Sequence, residues 1–461
     1  MILKTELLHH QHTAVEKLQH IKIGALYMEM GTGKTRTALE LIARRLEVEK
    51  VDFVLWLCPC SVKSTIKKEL EKHIDTGVEL IRIEGIESLS SSTRLNCELL
   101  QLVQSKKVYL VVDESNLVKN HRAQRTINIE RLAEYCKYKL ILNGTPISKC
   151  EKDLFAQWYI LDWRVLGYKS FWSFEANHLE YDERIPGRIS RVLNVDYLVK
   201  KIAPYTHQVK KSECLQLPKK KYKEVGYSLT DYQREHYEEV KETFLFELDE
   251  MKPSTIYRLF TACQQVISGN KVISKVEDPI KTLPMFSNQT NPRILELLNN
   301  IGNANLEKTI IWCKYTKEIK DINTALEINY GPESVVNFYG DLSKKERFES
   351  INKFTGDAKF FIANKTCAGY GLNLQFCNNM IYYSNDWDWA TRAQSEDRVH
   401  RLGQEREVQI TDMFAHRTLD ERILKCLNKK EKLVDSFKKS IEKFKTKENI
   451  RGWLDGGEDL Q

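Results

Sequence analysis

Residues 25–35 read Ala-Leu-Tyr-Met-Glu-Met-Gly-Thr-Gly-Lys-Thr. Ala25–Met28 is an apolar strand candidate and two glycines follow it. From Thr35 to Leu46 the residues Leu39, Ile42, Ala43 and Leu46 recur at helical spacing. A strand, a glycine loop and a helix in that order begin a parallel α/β unit. Glycines let backbone N–H groups approach an anion without a Cβ clash, and the helix N-terminus adds a favourable dipole. The plainer reading, a simple strand–helix turn, leaves the Lys34-Thr35 pair without a purpose.

The same alternation continues to about residue 150. Phe53–Cys58, Val108–Val112 and Leu140–Leu142 are further strand candidates, each followed by a loop rich in polar residues. In an open parallel sheet, ligands gather at the carboxyl ends of strands. Residues 151 to 290 differ, being aromatic and charged with helical periodicity. Phe155, Trp158, Trp163, Phe171, Trp172 and Phe174 are expected to pack a small helical insertion; a stacking platform for bases is the alternative. Strand–helix alternation returns with Thr309–Cys313, Phe360–Ala363, Met380–Tyr383 and Val408–Phe414. The architecture therefore occurs twice, without visible sequence repetition. Ile423, Leu427, Val434, Phe437, Ile441 and Phe444 fall at helical spacing, which predicts one amphipathic helix docked on the body. The end, residues 455–459, is expected to fray.

Bulk composition limits the class. The 461 residues suffice for two or three domains. A hydrophobic content of 42% and a charged content of 29% are those of a water-soluble globular chain. No apolar run approaches the roughly 18 residues of a membrane span, and Met1–Glu6 does not open a secretory signal. Eleven cysteines form no CxxC pair and no zinc spacing, which points to reduced core thiols; Cys58 and Cys60 read as structural. The net charge of +7 permits an anionic partner without demanding one. Eight lysines lie between Lys200 and Lys223, as a solvated linker or as a phosphate-contacting surface.

The chemistry resides in short motifs. In Gly31-Thr32-Gly33-Lys34-Thr35, Lys34 would reach the outer phosphates of a nucleotide and Thr35 would hold Mg²⁺. A strict P-loop has glycine where Met28 stands. Asp113-Glu114 ends an apolar run: one carboxylate can hold the cation and its neighbour can orient or deprotonate an attacking water. Gly144-Thr145-Pro146 follows a further strand and suits a joint that senses the outer phosphate. Gln394 to Gln404, Gln-Ser-Glu-Asp-Arg-Val-His-Arg-Leu-Gly-Gln, sets Arg398 and Arg401 three apart, on one face if the segment is helical. An arginine delivered to the outer phosphate is worth about 10³–10⁵ in rate. The plainer reading is a surface helix salt-bridged through Glu396 and Asp397. Lys365–Leu374, rich in small residues, suits a nucleic-acid phosphate or a plain helix cap.

Taken together these motifs resemble the Snf-two family of superfamily-two ATPases, the chromatin-remodeller-type DNA translocases, from about Gln11 to Lys430. Gln11 is similar to the family's adenine-reading glutamine, Glu29–Thr35 to motif I, and Ser61 loosely to motif Ia. Asp113–Asn120 resembles motif II and Gly144–Pro146 motif III. Gly340, Arg347 and Phe354 match a block before motif V, and Thr366 with Gly369–Leu374 matches motif V. Trp387 matches a tryptophan placed near DNA, Gln394–Gln404 matches motif VI, and Thr418–Glu421 resembles the block beyond it. Three departures stand out: Asp-Glu-Ser-Asn replaces Asp-Glu-Ala-His, Cys367-Ala368 replaces Ala-Gly, and Ser395 stands where Ala is common. Asn116 cannot titrate as histidine does, which questions the coupling of hydrolysis to DNA more than hydrolysis itself.

The resemblance implies an α/β chain of two RecA-like parallel-sheet lobes with helical insertions and a C-terminal amphipathic helix. The expected divisions are a first lobe at 1–210 with an insertion at about 151–210, a basic linker at 211–222, a second lobe at 223–430 with an insertion at about 223–295, and a helix and tail at 431–461. Catalysis falls to Lys34, Asp113, Glu114, Arg398 and Arg401. ATP is expected against Gln11, Met30, Gly31, Thr32, Gly33, Lys34, Thr35 and Gly371, with Mg²⁺ on Thr35 and Asp113. DNA contacts are expected from Ser61, Lys119, Thr366 and Trp387, and coupling from Asn116, Gly144, Thr145 and Gln394. The implied activity is ATP-dependent movement on duplex DNA by a cytoplasmic monomer of minimal bacterial or viral type. A strand-separating or fork-remodelling helicase stays open, as does a weakly hydrolysing DNA-binding switch or loader.

Overall fold

The structure, a computed structural model, describes residues 1–144, 151–181, 189–246, 253–274, 280–304, 307–365, 372–430, 433, 436–437 and 447–457. It divides into two compact units, Met1–Gln216 and Leu217–Gln461. No helix among the described residues is long and apolar enough to cross a membrane.

The first unit is built on six parallel strands in the order Thr206–Val209, Ile23–Met28, Tyr138–Asn143, Val108–Asp113, Phe53–Cys58 and Ile81–Gly85. Successive side chains of a strand point to opposite faces. Tyr27, Leu55, Leu57, Leu110, Val112 and Ile141 thus enter one core. Leu26, Met28, Val54, Trp56, Val111 and Leu140 enter the other. Helices cover both faces, so the central strands read as unbroken apolar runs. The second unit repeats the plan with Lys220–Tyr227, Val408–Ala415, Asn379–Tyr382, Thr309–Cys313, Phe360–Asn364 and Val335–Phe338, again all parallel. Ile310, Trp312, Phe361 and Ile410 pack one face; Ile311, Phe360, Ile362 and Met413 pack the other. Each unit is a parallel α/β lobe, as the strand–helix alternation implied.

The eight strands expected from apolar runs are present within a few residues of their expected bounds. Four edge strands were not expected. Ile81–Gly85, Thr206–Val209, Lys220–Tyr227 and Val335–Phe338 each flank only one neighbour; the first three stay partly open to solvent and the fourth, though mostly buried, is only four residues long, so none shows a long apolar run. Two of them change the reading of the lysine-rich stretch. Thr206–Val209, inside the expected insertion, is a strand of the first sheet. Lys220–Tyr227, which overlaps the expected linker, pairs with Val408–Ala415. Lys211–Cys214 is a short helix, leaving 215–219 without regular structure.

The aromatic insertion is largely core: Trp158 and Phe174 are fully buried and Phe155 nearly so. Trp172 is the exception at 76% exposed. The single C-terminal helix is not found. Helix Leu419–Asn428 stops before Lys430, whose φ of 57° no α-helix continues. Val434, Ile441 and Phe444 lie outside the described residues. A separate helix, Lys447–Leu454, follows, and Trp453 packs against Phe437 and Phe260. Residues 455–457, expected to fray, are held: the Asp455 carboxylate accepts from buried Lys241 at 2.6 and 2.7 Å.

The second unit also carries a buried ion pair that the sequence did not announce. The Arg293 guanidinium meets Asp420 at 3.1 Å and lies 4.8 Å from the Tyr383 ring centroid. Burial raises the Asp420 carboxyl, and the neighbouring Arg293 opposes that shift. Removing one partner of such a pair typically costs about 3–5 kcal/mol, because the other charge is stranded.

Candidate functional site

In the first unit the strand Ile23–Met28 delivers the glycine loop, and helix Lys34–Glu47 leaves it. Gly31 and Gly33 both have φ of 83°, in the left-handed region. At Gly33 the positive φ would strain any L side chain, and an added Cβ would lie 2.0 Å from the Gln11 amide nitrogen and displace it. Gln11 is buried and braces the loop. Its amide donates to the Thr32 and Gly33 carbonyls at 3.2 and 3.4 Å, and its oxygen accepts from Leu8 N at 2.9 Å. The expected adenine reader is therefore placed on the loop backbone itself. The His10 Nε2 joins it at Thr32 O, 2.8 Å away. The Thr32 hydroxyl donates to Glu29 O at 2.7 Å.

Lys34 Nζ donates to Met28 O at 2.9 Å. Met28 closes the strand with its side chain in the core, so the position of the missing glycine serves packing while its carbonyl anchors the lysine. Met30 and Thr35 are half-buried at the loop and the first helical turn. The glutamate before them was not singled out: Glu29 Oε2 accepts from Lys211 N at 2.8 Å, tying the loop to the segment after the edge strand. Gly144 lies against the loop, where an added Cβ would sit 3.6 Å from Met28 O and Met30 N. Thr145 and Pro146 lie outside the described residues.

Asp113 ends its strand almost fully buried, and its Oδ1 accepts from Glu114 N at 2.9 Å. Burial, and then the negative charge of Glu114, push its carboxyl up to about 7, against the opposing pull of Lys34. Glu114 has φ of 51°, a conformation few non-glycine residues adopt. Such outliers concentrate at functional sites. Ser115, where the family has alanine, is fully buried. Its hydroxyl donates to Gln157 at 2.6 Å and accepts from Asn143 at 3.4 Å. This bond joins motif II to the helical insertion; only a buried glutamine on helix Leu154–Leu166 could have hinted at it. The Asn116 Oδ1 is buried without a hydrogen-bond partner among the described residues. Lys119 Nζ stands 3.7 Å from Asp153, and Ser61 is exposed in the turn before helix Lys63–His73.

These groups fit a nucleoside triphosphate with its divalent cation. A loop whose glycines take left-handed φ, a helix N-terminus without a side-chain cap, a lysine, and a buried Asp113 next to Glu114 form the complementary set. Lys34 would hold the outer phosphates, while Thr35 and Asp113 would hold the cation, which neutralises phosphate charge when bound.

The second unit positions the other half of the motif set. Helix Trp389–Glu396 begins at Asp388, whose side chain accepts from Ala390 N at 3.1 Å. Gln394 is half-buried on it. The helix ends at Glu396, so Arg398 and Arg401 sit in the turn beyond rather than on one helical face. Gly403, with φ of 94°, completes that turn. Arg398 is 5% exposed; its carbonyl accepts from Leu374 N at 3.0 Å. Arg401 donates to Asn373. Gln404 Nε2 donates to Cys377 O at 2.8 Å and Gln375 O at 3.0 Å, pinning the turn to the preceding loop. Glu396 does not pair with these arginines. It takes Arg392 at 2.7 Å, Lys220 at 2.8 Å and the Tyr222 hydroxyl at 2.9 Å.

Trp387 packs against Tyr257 and Phe260 and donates its indole N–H to Gln264 at 2.8 Å. Thr366 and Gly371 lie outside the described residues.

Two family models match this chain: the SNF2-related domain over residues 79–276 and the helicase conserved C-terminal domain over residues 291–403. The chain is thus similar to SNF2-related proteins over the first of these stretches and to helicase C-terminal domains over the second. Its similarity extends to an uncharacterized ATP-dependent helicase, MG018, of Mycoplasma genitalium, 25% identical over 89% of this chain and 40% of that protein. The uncharacterized ATP-dependent helicase YqhH of Bacillus subtilis is 24% identical, over 94% of this chain and 79% of that one. The ATP-dependent helicase brm of Drosophila melanogaster is 24% identical, over 90% of this chain and 28% of its own length. The chain thus spans 40%, 79% and 28% of these three relatives. Among solved structures, the Sulfolobus solfataricus SWI2/SNF2 ATPase core in complex with dsDNA aligns at 23% identity and a TM-score of 0.41, covering 98% of this chain and 97% of that one.

Proposed function

We propose that this chain is a SNF2-type, ATP-driven translocase on double-stranded DNA that does not processively separate the strands. The observation that carries the reading is the coexistence of two preorganised halves on one chain. One is a braced glycine loop beside buried Asp113 and half-buried Glu114. The other is an arginine turn pinned by Gln404. In this reading Lys34 and Thr35 bind ATP and Mg²⁺, Glu114 orients the attacking water, and Arg398 and Arg401 stabilise charge on the transferred phosphoryl group. Ser61, Lys119, Thr366 and Trp387 are proposed to face DNA. Binding through phosphates would be salt-sensitive and weakly sequence-specific.

Steady-state ATP hydrolysis, alone and with duplex, single-stranded and forked DNA, tests this. Strong stimulation by plain duplex is the expected result, with no displacement of a labelled strand. Stimulation only by single-stranded or forked DNA would move the assignment to unwinding. ATP binding without hydrolysis under all conditions would favour a switch, for which the uncompensated Asn116 oxygen is the structural argument.

The acidic pair adds a pH dependence. The Asp113 carboxyl lies above its ordinary value, at about 7. Its contribution to stability is therefore fully present below about pH 4 and is lost as pH rises through about 7. Cation binding needs the ionised carboxylate, so it releases a proton below that value. Mg-nucleotide affinity is expected to weaken by up to about tenfold per pH unit below about 7. Asp113→Asn should flatten that slope. Calorimetric titration in two buffers of different ionisation enthalpy measures the proton directly; equal apparent enthalpies would count against it.

A further inference from the structure

We propose that Gln264 is a positioning residue for the arginine turn of the second unit. Helix Pro253–Ile267 is otherwise an apolar insert helix, with Ile256, Leu259, Phe260, Cys263 and Val266 in the core. A 2% exposed glutamine among them is costly unless its amide is fully used. It is fully used. Three donors converge on its carbonyl oxygen: Lys314 Nζ at 2.7 Å, Trp387 Nε1 at 2.8 Å and the Tyr315 hydroxyl at 3.2 Å. Its own N–H donates to Asn385 O at 3.1 Å. Lys314 also lies 3.2 Å from the Trp387 ring centroid and 3.8 Å from Asp386. One side chain therefore grips the end of strand Thr309–Cys313 and the segment 385–387 together.

From that segment the connection runs on through buried polar groups. The Asn385 side chain donates to Asp412 at 2.8 Å and accepts from Arg392 at 2.8 Å. Arg392, 4% exposed, also holds both Asp412 oxygens, at 2.5 and 2.9 Å, and Glu396 at 2.7 Å. Arg392 and Glu396 belong to the helix that ends at the turn, where Arg398 N donates to Ser395 O at 3.3 Å. Each link is a short bond between buried groups, which tolerate displacement poorly. Gln264 thus registers the insert helix against the helix that carries the arginines toward their turn. Nothing in the sequence pattern marks it.

The inference rests on the translocase reading for its catalytic consequence, though not for its geometry. Gln264→Glu separates the two roles of the amide. The carboxylate keeps an acceptor for Lys314 and Trp387 and loses the donor to Asn385. The expected result is a folded chain that melts cooperatively, at a somewhat lower temperature because the Asn385 carbonyl loses its donor. Its duplex-stimulated kcat should fall by about tenfold or more while KM for ATP stays within about twofold. Backbone hydrogen exchange across 385–401 should rise by about tenfold while the first unit is unchanged. Asn385→Ser, which cuts the next link, should reproduce the kcat loss, and it decides the matter if the glutamate variant does not fold. Wild-type kcat and wild-type exchange in a folded variant would overturn the assignment. A wild-type chain without any DNA-stimulated hydrolysis would instead refute the proposed function, and the exchange measurement would still judge the positioning role.

Discussion

Lys34→Ala is expected to lose ATP hydrolysis by about 10³-fold or more, because a positioned cation at the transferred phosphate acts mainly in the transition state. The fold should survive. Lys34 makes one hydrogen bond, to Met28 O at 2.9 Å, from a half-buried position. Losing one such bond costs about 1 kcal/mol, since water can take the freed carbonyl. The glycine loop keeps its other braces, from Gln11, His10 and Thr32. DNA affinity should therefore stay within a fewfold of wild type, measured with a fluorescent duplex. Melting temperature and hydrolysis rate complete the test. Wild-type turnover in this variant would remove Lys34 from the active site and take the loop assignment with it.

Arg398→Ala is the second large effect. A finger arginine contributes about 10³–10⁵ to kcat, and kcat should fall in that range with ATP affinity changed little. Arg398 is almost fully buried in the turn beyond its helix, and its backbone is tied there to Leu374 N and Ser395 O. Arg398→Lys is not expected to rescue, because an ammonium cannot reproduce the planar fork of donors. Single-turnover hydrolysis with a nucleotide-binding control separates chemistry from affinity. A fall in affinity with unchanged kcat would reassign Arg398 to ground-state binding. Arg401→Ala should move kcat in the same direction.

Legibility followed burial and contiguity. Central strands such as Phe53–Cys58 and Thr309–Cys313 were visible with their bounds, because a strand covered on both faces must be apolar throughout. The loop at Gly31–Thr35 and the pair Asp113-Glu114 were visible because their expected chemistry uses adjacent residues. Edge strands were hidden: Lys220–Tyr227 reads as a basic linker until its pairing with Val408–Ala415 is seen. The arginines were found, but their helical face was not, since the helix stops at Glu396. The tail misled in the same way. Its apolar spacing runs through Lys430, where the backbone turns left-handed and the helix has ended.

The sequence by itself determined the doubled parallel α/β architecture, the order of the motifs and the similarity to SNF2-related proteins. Each depends on residues close together in the chain, whose periodicity and chemistry survive without coordinates. Only the tertiary structure decided how those motifs are held. Ser115 meets Gln157, Gln264 meets Trp387, and Lys220 meets Glu396 across 42, 123 and 176 positions of sequence. A buried polar group is stable only where such distant partners satisfy it, and no local pattern encodes which distant residue that partner will be.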